Sequence, residues 1–130
     1  MSEMPEELDK LLVVSFPKLY RNRYASPQVT CMCWGFPKRG WFQLIWDLSE
    51  KLEKLIPDVA EDPNDSICAF QVKEKFGTLR YYMSHYTDEM RTIINEAEKA
   101  SAYICEDCGA PGTLRNISWI KTLCDKCALP

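Results

Sequence analysis

Four of the seven cysteines close the chain as two C-x2-C pairs, Cys105 with Cys108 and Cys124 with Cys127, and fifteen residues separate the pairs. Two residues between cysteines let a tight turn aim both sulfurs at one point. Two such knuckles supply the tetrahedral set of soft thiolates that zinc favours. The spacing predicts one structural Zn2+ held by Cys105, Cys108, Cys124 and Cys127; two disulfides, an iron–sulfur cluster and a redox pair are the competing readings. Four protein ligands leave no position for water or substrate, so the ion is expected to stabilise and not to catalyse. Binding energy on the order of 10 kcal/mol would hold a tail with little core of its own. Gly109 follows the first pair, where a knuckle often needs positive φ, whereas Ala128 follows the second. Residues 117 to 123, ISWIKTL, alternate as a short strand leading into the second pair.

A chain of 130 residues with 46% hydrophobic and 12% aromatic content suits one domain with a true core. No apolar run reaches membrane-spanning length, and the opening MSEMPEELDKLL is acidic, unlike a signal peptide. The expected location is therefore the cytoplasm, where Cys31, Cys33 and Cys68 stay reduced. Cys31 and Cys33 have one residue between them, too few for a knuckle, and are read as buried structural thiols on one strand face.

The formal net charge is -3, and four thiolates around one Zn2+ make it more negative by two. Charge is also segregated. Residues 1 to 9 carry four acids, residues 10 to 46 carry six bases and no acid, and residues 47 to 65 carry seven acids against Lys51 and Lys54. A bipolar surface or simply solvated helix faces would follow. An acidic chain is a poor general binder of nucleic acid, whose phosphates require clustered Lys and Arg.

Along the chain, residues 1 to 40 read as an irregular or short helical segment punctuated by Pro17 and Pro27. Residues 41 to 104 read as a helix, hairpin and helix core, and residues 105 to 127 as the metal clip. Trp41, Ile45, Leu48, Leu52 and Leu55 repeat at helical spacing, and Pro57 ends that helix before an acidic loop. Residues 66 to 84 alternate as a β-hairpin turning near Gly77, which can bring Lys73, Lys75 and Arg80 together beside Tyr82 on the open face. Asp88 is the expected cap of a second helix whose apolar stripe runs through Met90, Ile93, Ile94, Ala97 and Ala100. Aromatic Trp34, Phe36, Trp41 and Phe42 around Lys38 and Arg39 read either as a partner hot spot or as core anchors. The expected fold is α+β: two main helices packed on an antiparallel hairpin, with a C-terminal four-cysteine ribbon.

The segments GFPKRGWFQLI, QVKEKFGTLRYY, CEDCGAPGTLR and WIKTLCDKC resemble a group of small phage and prophage zinc-binding proteins, over residues 16 to 127. Members often have histidine as the last ligand, where this chain has Cys127. The resemblance implies a host-defence inhibitor, and within that class a zinc-containing anti-CRISPR protein directed at the type II effector Cas9. Its partner would be that protein, bound stoichiometrically by a monomer in the host cytoplasm, with the basic nucleic-acid channels of the effector as the target of an acidic surface. The contact residues on this expectation are Glu50, Glu53, Asp58, Glu61, Asp62 and Asp65.

The alternative is a zinc-ribbon binder of nucleic acid or nucleotides that uses Lys73, Lys75, Arg80 and Arg115. An enzyme ranks last. The single histidine, His85, lacks a local nucleophile motif, and the sequence carries no P-loop, dinucleotide fingerprint or zinc-protease helix.

Overall fold

The computed structural model describes residues 3 to 58, 67 to 116 and 118 to 129. Helix α1 (Glu6–Ser15) is followed by short 3-10 turns at Met32–Trp34 and Arg39–Trp41, then helix α2 (Phe42–Leu55). Strands β1 (Ala69–Lys75) and β2 (Thr78–Met83) precede helix α3 (Asp88–Ser101), and strands β3 (Thr113–Asn116) and β4 (Ile120–Leu123) end the chain. Both strand pairs are antiparallel hairpins, so the fold is a mixed α+β domain with the cysteines at its C-terminal end.

One apolar cluster joins the elements. Leu12 of α1 and the following Leu19 and Tyr20 meet Ile45, Leu48 and Leu52 of α2, Val72, Leu79 and Tyr81 of the hairpin, and Met90 and Ile94 of α3. Helices α2 and α3 contribute residues three and four apart, the spacing that places side chains on one face, and α1 contributes Leu12. A buried hydroxyl chain crosses this cluster: Tyr81 donates to Tyr20 at 2.9 Å, and Tyr20 meets Ser49 at 2.5 Å. Burial in apolar surroundings pushes both tyrosines well above their ordinary range.

The N-terminal segment, read as irregular or short helical, holds an ordered ten-residue helix whose Leu12 is fully buried, so this part of the chain carries core. Two local expectations change. Helix α3 is capped by the residue before Asp88: Thr87 accepts the Met90 amide at 3.2 Å, and Asp88 occupies the first turn, where its charge complements the helix dipole. Cys31 precedes and Cys33 lies within the Met32–Trp34 3-10 turn, both half-exposed, instead of lying in a strand.

The β2 edge is closed by side chains. The Leu79, Tyr81 and Met83 amides donate to Ser101 Oγ at 2.8 Å, Glu98 Oε2 at 2.8 Å and the Tyr86 hydroxyl at 3.0 Å. Helix α3 and its N-terminal approach thereby satisfy a strand edge that would otherwise recruit another chain. None of the helices among the described residues is long and apolar enough to cross a membrane.

Candidate metal centre

The ligand atoms of Cys105, Cys108, Cys124 and Cys127 all lie within 4.8 Å of one another, close enough to hold a metal ion. Backbone hydrogen bonds build each knuckle. Gly109, at φ 85°, donates to the Cys105 carbonyl at 2.9 Å, and the Cys105 amide donates to Ala110 at 2.7 Å. In the second knuckle the Ala128 amide donates to the Cys124 carbonyl at 3.0 Å, and the Cys127 amide donates to Cys124 Sγ at 3.4 Å. That amide lowers the Cys124 thiol to about 7, whereas hydrogen bonds from Cys124 and Cys108 push the Cys127 thiol up to about 12. A metal binds thiolates and would displace the protons of the thiols it ligates. Cys105 is buried and Cys108 exposed, so the site opens on one side only.

Distant segments converge on this centre. Gly40 donates its amide to the Glu106 carbonyl at 2.9 Å, and a Cβ there would overlap the Cys105 carbonyl oxygen. Trp41 Nε1 donates to the Ile104 carbonyl at 2.9 Å, and Lys38 Nζ reaches Asp107 at 3.1 Å and Glu106 at 3.6 Å. Glu106 is almost wholly buried, so desolvation raises its pKa despite the Thr122 amide at 3.2 Å. From the other side the β1–β2 turn docks on the ribbon. Gly77, at φ 82°, faces Leu114 and Lys121, and its carbonyl accepts from Thr122 Oγ1 at 2.6 Å. The KRGW and KFGT stretches are thus packing surfaces for the four-cysteine end. Their sequence signal was the pair of glycines, each needed where a side chain would collide.

The charged candidates separate. Glu53 turns inward and accepts the Leu19 amide at 2.8 Å and the Lys18 amide at 3.2 Å. Glu50 is exposed on α2, and Asp58 is exposed but lies 3.1 Å from Lys18 Nζ. Glu61, Asp62 and Asp65 lie outside the described residues. On the hairpin, Lys73 stands directly opposite Arg80, Gln71 opposite Tyr82 and Lys75 opposite Thr78, so all six share the open face. Arg115 belongs elsewhere: on β3 it donates to the Leu123 carbonyl at 3.0 Å and to Asp125 at 2.7 Å. Among the aromatics Trp41 is buried, Phe36 and Phe42 are half-buried, and Trp34 is 72% exposed.

Comparison with family models, curated proteins and solved structures finds no match to this chain.

Proposed function

We propose that the protein is a zinc-stapled binding protein that acts by stoichiometric occupation of a partner, and that this partner is the type II effector nuclease Cas9. The observation that carries the binding-protein reading is the convergence of four cysteine sulfurs within 4.8 Å. Zinc is the metal such a donor set favours, and a complete thiolate shell gives it a structural task. The choice of target rests on the resemblance of the motif segments to zinc-binding phage proteins and on the acidic stretch between α2 and β1. Glu50 and Asp58 supply exposed charge beside that stretch, and Glu61, Asp62 and Asp65 extend it in sequence. Glu53 supports the surface from behind through its two backbone contacts.

Titrating the protein into a guide-loaded Cas9 cleavage assay, paired with a pull-down, tests the reading. The expected result is loss of cleavage at stoichiometric protein, abolished by reversing the charges at Asp58, Glu61, Asp62 and Asp65 while zinc content is retained. Unchanged cleavage and no capture would remove Cas9 as the target.

A second reading is favoured by the cross-strand neighbours Lys73 and Arg80, two cations directly opposite with no acid among the strand residues of that face. Such a pair is unfavourable unless an anion joins it. A nucleic-acid or nucleotide ligand there would lose affinity steeply with salt, and a titration at two salt concentrations checks this.

A further inference from the structure

We infer that the β1–β2 turn and the tip of the β3–β4 hairpin form a stacking platform for single-stranded nucleic acid, in which Phe76 and Trp119 receive bases and Lys75 and Lys121 the phosphates beside them. The inference rests on the nucleic-acid reading above, to which it adds the rings that the Lys73 and Arg80 pair lacks, and it does not depend on Cas9.

Phe76 stands where the hairpin has least use for it. It opens a two-residue turn in which both central residues have positive φ, 54° at Phe76 and 82° at Gly77. Asparagine, aspartate and glycine fill such positions readily, whereas a bulky aromatic there is rare and strained. The fold draws no burial from the ring, which is 61% exposed and lies outside the apolar core. Its neighbour is a cation: Lys75 Nζ lies 5.5 Å from the ring centroid. Backbone strain that packing does not repay is characteristic of places where a ligand is met.

The turn is fixed against the ribbon. Glu74 Oε2 accepts the Gly77 amide at 2.7 Å, and the Gly77 carbonyl accepts from Thr122 Oγ1 at 2.6 Å. Gly77 packs on the Lys121 backbone and on Leu114, whose side chain is 53% exposed and gives an apolar floor one residue from Phe76. Trp119 precedes Lys121 by two residues and is 75% exposed, so the same junction brings the second ring to this end of the molecule.

Charge and shape select the occupant. Each ring has a lysine within two residues, and neither Lys75 nor Lys121 forms an ion pair among the described residues. The adjacent acids are engaged, Glu74 by the Gly77 amide and Asp125 by Arg115. Lys73 is not counted, because Glu3 shares its groove. Exposed rings beside unpaired ammonium groups suit a polyanion with open π faces, whose bases stack on aromatics while its phosphates meet the cations. A duplex keeps its base faces stacked on one another and offers phosphates alone. A protein partner or second copy would want a continuous apolar face, whereas these rings sit on two turns with exposed Asn116 and Ser118 beside Trp119.

The test is fluorescence anisotropy of a labelled oligothymidylate titrated at low salt with the zinc-loaded full chain, beside an abasic strand of the same length and a duplex. Saturable binding of the oligothymidylate is expected, about tenfold weaker for the abasic strand and for the duplex. Phe76→Asn and Trp119→Ala should each weaken binding about tenfold, equivalent to about 1.4 kcal/mol, with quenching of tryptophan emission lost in Trp119→Ala. Phe76→Asn relieves the turn, so its loss of binding is not a loss of folding, and urea unfolding of the same sample verifies this. Equal affinity for the abasic strand, or unchanged affinity in both ring variants, would overturn the platform. If binding survives in those variants but is lost in Lys73→Gln with Arg80→Gln, only the platform fails and the second reading stands; absence of any binding removes both. A concentration-dependent dimer, without oligonucleotide, that Phe76→Asn dissolves would assign the rings to a second copy and also overturn the inference.

Discussion

Gly40 and Cys105 pack backbone to backbone, with no space for a side chain between the start of α2 and the first cysteine knuckle. The contact is fixed by the Gly40 amide on the Glu106 carbonyl and by Trp41 Nε1 on the Ile104 carbonyl. It couples the metal end to the principal helix of the core. Gly40→Ala should therefore lower unfolding stability by about 2–4 kcal/mol, a large effect for one methyl group, because backbone must move to admit it. Urea unfolding of the zinc-loaded variant measures this; a loss below about 0.5 kcal/mol would contradict the packing.

Purified protein is expected to carry one zinc ion per chain by elemental analysis, and Cys105→Ser or Cys124→Ser to carry less. Thiolates, not thiols, bind the metal, so protons compete with it. Zinc should be released as pH falls, and stability should fall with it; a zinc-dependent melting temperature that rises on acidification would oppose this assignment.

The β2 edge predicts a paired effect. Ser101→Ala and Glu98→Ala each remove the acceptor of a strand amide, at an expected cost of about 1–3 kcal/mol apiece. Faster exchange of the Leu79 and Tyr81 amides, respectively, would identify the cause; unaltered exchange would not fit the observed bonds.

Glu50 and Glu53 sit three residues apart on α2 but do different things. Glu53→Ala should cost about 1–3 kcal/mol through the Lys18 and Leu19 amides it leaves unpaired, whereas Glu50→Ala should change stability by less than about 0.5 kcal/mol. Thermal unfolding of the two variants side by side distinguishes them.

Phe76 holds φ 54° beside Gly77 in a two-residue hairpin turn. Asparagine tolerates this region far better, and Asn-Gly is the favoured pair for such turns. Phe76→Asn should raise stability by about 0.5–1 kcal/mol, read as a shift in the urea midpoint; a decrease would point to a structural contact for the exposed ring.

Local pattern determined much of this protein. The apolar spacing of α2 and α3, the alternation on both sides of Gly77 and the two C-x2-C pairs all act over a few residues, so the helices, the hairpin and the four-cysteine cluster were legible directly. Helix α1 was legible only as one of two readings, irregular or short helical, because what fixes it is the burial of Leu12 against distant core residues. Tertiary structure alone decided what the charged and glycine positions do. Burial turned Glu53, Glu98 and Glu106 into acceptors for backbone amides, and close approach made Gly40 and Gly77 the places where core and cysteine ribbon meet. Those outcomes depend on which segments face each other across the fold, information that neither residue type nor periodicity contains.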